Sequence, residues 1–183
     1  TRFQQSVIEG ALFLFVHQYV ENVSNNGQLE FVNNVFINNG AGASVLNLIA
    51  AADGLYPNLT NVLIQNNTFG TGVTLSQPQG FERVNILAEN NIFSEGAQIS
   101  GINVEDLQYN LLQDSNFIGL NNNISGNPSF VDEAANNFHL FPDSSAIDVG
   151  NPSSPFSLEP GYHGGKVNIG AYGNTTEAAS ILD

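Results

Sequence analysis

The side chains best suited to acid–base or anion-binding chemistry are few: Arg2, Arg83 and Lys166, with His17, His139 and His163. His163 and Lys166 fall in the run Gly161-Tyr-His-Gly-Gly-Lys166, a base and a cation in one loop, the pairing that abstraction of a proton beside a carboxylate would use. Arg83 follows Phe81-Glu82 between two strand-like runs and would supply a second cation. No catalytic residue is assigned; Lys166, His163 and Arg83 are the candidates if there is one. His17 alternates within an apolar run and His139 lies in a segment punctuated by Pro and Asp, so both are expected to be structural.

Carboxyl groups offer two other chemistries. Hydrolysis of a glycoside needs a pair of them about 5 to 9 Å apart. The clusters available are Glu82 with Glu89, Glu105 with Asp106, and Asp132 with Glu133. Adjacent residues of a strand point to opposite faces, so the last two pairs are expected to be solvated surface charge unless they sit in loops. Asp132, Glu133, Asp143 and Asp148 are candidate ligands for Ca²⁺ through loop oxygens, the one cofactor entertained, although neither an EF-hand loop nor a nonapeptide Ca²⁺ repeat is present.

The charge balance narrows the partners. Three Lys and Arg stand against 17 Asp and Glu, a net charge of -14. Neutralising phosphates requires clustered cations, so nucleic acid is excluded as a partner, and an anionic membrane surface is disfavoured for the same reason. The longest apolar run, Ala11–Val16, is far short of the about 20 residues of a spanning helix, so no membrane insertion is expected. With no Cys there is no disulfide framework and no thiolate metal site. A start at Thr1, with no Met anywhere, reads as a processed or truncated chain.

The elements that must position these side chains are announced by asparagine. The chain holds 27 Asn among 18 Gly and 13 Phe. Apolar residues interleaved with the Asn argue against disorder and for a fold that uses Asn repeatedly. The pattern is apolar, any, apolar, any, Asn, Asn, any, large apolar. It occurs at Leu29-Glu-Phe31-Val-Asn33-Asn34-Val-Phe36, Val62-Leu-Ile64-Gln-Asn66-Asn67-Thr-Phe69 and Ile86-Leu-Ala88-Glu-Asn90-Asn91-Ile-Phe93, with a degenerate copy at Leu107-Gln-Tyr109-Asn110-Leu-Leu112. The second Asn steps by 33, 24 and 19 residues. Such intervals fit a stack of repeats.

Alternation before each Asn pair predicts a strand. Further β-rich runs lie between copies, at Val45–Ile49, Val73–Leu75, Ala97–Ile99 and Phe117–Leu120, and no long amphipathic helix is visible. The expected fold class is therefore all-β, a β-solenoid whose corners carry Asn33, Asn34, Asn66, Asn67, Asn90, Asn91 and Asn110. Asn tolerates a left-handed backbone, and its amide both donates and accepts, so stacked copies are expected to form a ladder. Sequons at Asn22, Asn58, Asn66, Asn123 and Asn174 are what an Asn-rich, Ser/Thr-containing chain yields by chance. Residues 1–125 are taken as coils, 126–173 as an irregular C-terminal wrap of the same domain and 174–183 as a tail.

The wrap carries a resemblance. The succession Gly126-Asn-Pro-Ser-Phe130, Phe138-His-Leu-Phe-Pro-Asp-Ser-Ser-Ala-Ile-Asp-Val-Gly150 and Asn168-Ile-Gly-Ala-Tyr172 resembles the C-terminal end of bacterial right-handed parallel β-helix proteins. These belong to the pectate-lyase-like superfamily, in the set of surface proteins labelled choice-of-anchor Q. Asn168 and Gly173 depart from it, standing where the family has acids. The resemblance implies a right-handed parallel β-helix, a secreted or cell-surface location and a bacterial source. It also brings in uronate lysis, in which a base removes a proton and a cation or Ca²⁺ neutralises the substrate carboxylate. A net charge of -14 opposes a polyanionic substrate.

The expected function is a non-catalytic extracellular or cell-surface structural module that stacks end to end into fibres or contacts glycans; the alternative is a polysaccharide lyase or another carbohydrate-active enzyme of that superfamily. Val7, Ile8, Leu12, Phe13, Leu14 and Phe15 form an apolar, β-prone strand that something should cover, either another copy stacked head to tail or upstream residues of the same chain. Glycan contact would need an exposed aromatic row, for which Tyr19, Tyr56 and Tyr109 are too scattered.

Overall fold

The computed structural model describes residues 2–9, 15–16, 28–38, 44–50, 61–77, 85–113, 115–161 and 164–181. The chain is all-β and its sheets are mainly parallel. Arg2–Gln4, Gln28–Val32, Asn61–Gln65, Asn85–Glu89 and Leu107–Gln108 form the first sheet, in that order. Val7–Glu9, Val35–Ile37, Thr68–Phe69, Ile92–Phe93 and Leu111–Leu112 form the second. Ser44–Asn47, Val73–Ser76 and Gln98–Ser100 form the third. Phe15–Val16 pairs in parallel with Ile49–Ala50. From Gln28 the chain visits the first, second and third sheets in the same order with each repeat.

Register turns the sequence repeat into columns. Leu29, Val62 and Ile86 align, as do Phe31, Ile64, Ala88 and Leu107. In the second sheet Phe36, Phe69, Phe93 and Leu112 align. In the third, Leu46, Leu75 and Ile99 align. All three sheets direct side chains into one core. The rings of Phe36, Phe69 and Phe93 stack nearly parallel with centroids 4.7 and 4.6 Å apart, the spacing between neighbouring strands. Each such side chain, fully buried, stabilises the fold by about 1.5–3 kcal/mol, and a stacked aromatic pair adds about 0.5–1.5 kcal/mol.

From Val35–Ile37 to Leu111–Leu112 the second sheet is buried on both faces. Val35-Phe36-Ile37 is buried throughout, as a strand with two covered faces should be. Its outer face is covered by the C-terminal wrap: Val35 and Ile37 meet Phe138 and Ala171, and Ile92 and Leu111 meet Ala146 and Ile169. The wrap itself is mostly turns, with an antiparallel pair of Phe130–Asp132 and Asn137–Leu140 and a short 3-10 turn, Glu133–Ala135, between them.

One stretch differs from expectation. Phe117–Leu120 is not a strand: Ile118 donates its N–H to Ser115 O, Leu120 to Phe117 O, and Gly119 has φ +83°, so local turns displace the extended form. Residues 174–181 fold back onto the wrap, with Ala178 and Ser180 buried and Asn168 Nδ2 donating to Ala179 O.

Candidate functional site

Polar groups converge where the first sheet turns into the second. The residue before each ladder position has left-handed backbone: Gln5, Asn33, Asn66, Asn90, Tyr109 and Asn122, all at φ between 50° and 60°, with Asn121 beside Asn122 also left-handed at φ 47°. The residue after it begins the second-sheet side of the corner and points inward. There Asn34, Asn67, Asn91, Asn110 and Asn123 form a ladder. The Oδ1 of Asn67 accepts from the backbone N–H and the Nδ2 of Asn34, at 2.9 and 3.1 Å. Asn91 does the same for Asn67, Asn110 for Asn91 and Asn123 for Asn110, at 2.9 to 3.1 Å. Each Nδ2 also reaches a strand carbonyl, Asn67 to Phe31 O, Asn91 to Ile64 O, Asn110 to Ala88 O and Asn123 to Leu107 O. Every ladder member is thus buried without an orphaned donor or acceptor.

The residues before them do different work. Asn33, Asn66 and Asn90 take the left-handed corner and turn outward, so they lie off the ladder. Asn33 Nδ2 donates to Ala171 O and Gly173 O, Asn66 Nδ2 to Asn168 O and Asn90 Nδ2 to Ser154 Oγ, while Asn90 Oδ1 accepts from the N–H of Asn151. These contacts, 61 to 140 residues apart in sequence, clamp the wrap to the corner column. Beside them Glu89, buried, accepts from Gln65 Nε2 at 2.6 Å, Gln108 Nε2 at 3.1 Å and Asn151 Nδ2 at 2.9 Å. Glu159, also buried, accepts from the N–H groups of Asn168 and Asn174 with one oxygen.

Away from the corners lies a groove of about 410 Å³ lined by Glu95, Gln113, Asn127, Phe130, Glu133, Phe141 and Asp143, with Pro128 and Ser129. Phe141 is 48% exposed. Phe130 is held edge-on to Phe138 at 5.1 Å, and Glu133 Oε1 accepts from both the N–H and Oγ1 of Thr71. The opening therefore combines an exposed ring, amides and three carboxylates. Such a lining can stack on and hydrogen-bond neutral polyols, and it repels polyanions.

The remaining expected residues are dispersed. Lys166 is exposed; His163 and Arg83 lie outside the described residues. Asp132 caps the 3-10 turn by accepting from Ala135 N–H, Glu133 and Asp143 line the groove, and Asp148, with left-handed backbone, donates its N–H to Asn168 Oδ1. Among the described residues no three His, Asp or Glu side chains come together as a metal site. Val7 and Ile8 lie in the edge strand of the second sheet, with Val7 59% exposed, and Phe15 lies in its own short strand; Leu12, Phe13 and Leu14 are outside the described residues. The sequon residues Asn66 and Asn123 are buried. His139 bridges Asn137 Oδ1 at 2.8 Å and Glu177 Oε2 at 3.0 Å and stacks on Tyr172. Burial, and after it the charge of Glu177, pushes the Tyr172 phenol above its ordinary value of 10.0.

Sequence reasoning missed Asn123, Ser6, Asn151, Asn168 and Glu159. Asn123 had a signal, the run Asn121-Asn122-Asn123 followed by Ile124, a shortened copy of the corner. No protein-family model matches the chain, and no curated protein and no solved structure is matched by it.

Proposed function

We propose that the chain is a non-catalytic structural module, a right-handed parallel β-helix displayed at a bacterial cell surface or secreted, of the kind its C-terminal motifs resemble. The three parallel sheets, entered in the same order around one core, support the helical reading. The observation that carries the functional reading is the commitment of both Asn of every pair: the inner one to the ladder, the outer one to the wrap. The polar column at the corners is thereby satisfied internally, as a load-resisting scaffold requires and as a substrate site does not.

The exposed Phe141 favours a glycan contact at the groove as the module's binding role, with neutral rather than uronate sugars matching its three carboxylates. The alternative, a polysaccharide lyase, would draw on Lys166, His163 and Arg83, with Ca²⁺ to neutralise the substrate. Against it stand the pairing of Arg2 with Glu30 at 3.4 Å and the acidity of the groove.

The test is incubation of the protein with pectate, alginate and chondroitin, with and without Ca²⁺, following unsaturated product. None is expected. Product formation that disappears in Lys166→Ala would overturn the structural reading. For the groove, retention on a neutral-glycan array that falls in Phe141→Ala is expected, and indifference to that substitution would remove the glycan role.

A further inference from the structure

The two ends of the ladder are chemically unlike. At the C-terminal end the chain folds over itself: Asn123 donates its N–H to Leu120 O, accepts at its own carbonyl from Gly119 N–H, and gives its Nδ2 to Leu107 O, while Ile124 N–H binds Asn110 O. The backbone N–H and C=O of Asn123 are thus taken up within its own turn, and of its donors only the second Nδ2 hydrogen is left to continue the column. At the N-terminal end Arg2–Gln4 and Val7–Glu9 are the outermost strands of the first and second sheets among the described residues. Arg2, Gln4, Gln5, Ser6 and Val7 are all exposed. Gln5 already holds the left-handed corner, at φ 50°, and Ser6 occupies the ladder position, donating its N–H to Asn34 Oδ1 at 3.2 Å.

The ladder has a direction: each corner donates its N–H to the amide oxygen of the next repeat toward the C-terminus. Whatever precedes Ser6 must therefore donate to it. Ser6 Oγ gives its own proton to Gln4 O at 3.1 Å, so toward any further partner it is an acceptor. Gln5 and Ser6 both direct their N–H groups inward, to Val32 O and Asn34 Oδ1. The corner thus presents an acceptor and asks for a donor.

On the β-helix reading above, we infer that this edge receives a strand–corner–strand polypeptide of the repeat's own pattern, running parallel, with an Asn whose N–H and Nδ2 donate to Ser6 Oγ. The edge continues an interface already present at every repeat, and addition of a strand to an open sheet edge is a general mode of peptide recognition. A second folded copy does not fit. Stacked head to tail, it would offer the closed Asn123 end. Head to head, it would set one Ser6 acceptor against another.

The probe is a synthetic peptide copying residues 28–37, which holds one complete corner, added to the intact protein; amide hydrogen exchange is read by mass spectrometry. Exchange over residues 2–9 is expected to slow saturably. Replacing the peptide's Asn34 by Ala, or Ser6→Ala in the protein, is expected to weaken binding about tenfold, the scale of one or two lost hydrogen bonds. Absence of protection at saturating peptide, or equal protection by a scrambled peptide, overturns the proposal. So does protection of residues 2–9 that grows with protein concentration alone, which would make a second copy the occupant. A failed structural reading would show instead as product released from polyuronate, with the edge result unaffected.

Discussion

Asn66 and Asn67 are the same residue one position apart, and they hold different parts of the molecule together. Asn67 faces inward, donating to Asn91 and accepting from Asn34, so its partners are its own equivalents in neighbouring repeats. Asn66 sits at φ 51° and faces outward, and its partner is Asn168 of the wrap. The corner divides two kinds of order. The repeats are satisfied by translation along the column, each copy supplying what the last one lacks. The wrap has no such symmetry and depends on single contacts with residues far away in sequence.

That contrast is broken most severely at Asn67. Asn67→Ala removes the acceptor of two Asn34 donors and the donor to Phe31 O, in a column where water cannot replace them. With each buried orphan costing about 1–3 kcal/mol, a loss of about 3–5 kcal/mol is expected in urea denaturation. A loss no larger than that of an exposed control such as Asn85→Ala would show that the ladder is incidental to stability.

Glu89 belongs to both regions, since Gln65 and Gln108 come from the first sheet and Asn151 from the wrap. Glu89→Ala is expected to cost about 2 kcal/mol, because the three amide donors near the surface regain water in part. Its hydrogen-exchange signature should spread over both regions. A change confined to the sheet would mean that Asn151 is held by Asn90 alone.

Asn66→Gly sharpens the comparison further. Glycine keeps the left-handed corner without strain, so only the bond to Asn168 O is lost. The expected cost is about 1 kcal/mol. Exchange should rise in residues 164–181 and stay unchanged in residues 85–113. Loosening of the repeats as well would deny that the outer Asn serves the wrap alone.

The unequal legibility of the two regions follows from the same symmetry. The columns were readable because each repeat states its neighbours' needs: Asn91 follows Asn67 in the same local pattern, and Phe69 follows Phe36. Coupling of Asn66 to Asn168 crosses 102 residues with no period to announce it, and that of Asn90 to Ser154 crosses 64. The difference in role between members of a pair was also invisible, since it lies in backbone φ and not in residue type. Tyr109 and Gln5 show the limit of residue type directly: both occupy the left-handed corner, a conformation disfavoured for them, because the column imposes it. Phe117–Leu120 misled in the opposite sense, its β-prone composition losing to turns that bring Asn123 back under Asn110.

The smallest expected effect separates the regions by pH. The ladder contains no titratable group, whereas the wrap stacks Tyr172 on His139 beside Glu177. Burial and the Glu177 charge raise the Tyr172 phenol above 10.0, so between that value and its folded value the unfolded chain has lost a proton that the folded chain retains. Losing it favours unfolding. The contribution of Tyr172 is thus complete below pH 10.0 and declines as pH rises through the folded value. Thermal melting across that range should show a falling midpoint that Tyr172→Phe makes shallower, accompanied by loss of a late tyrosinate absorbance step. Glu177→Gln should lower the phenol's titration only in part, since burial is the larger cause. A full return to the ordinary range in Glu177→Gln would place the control of this contact in charge and not in the packing of the wrap against the second sheet.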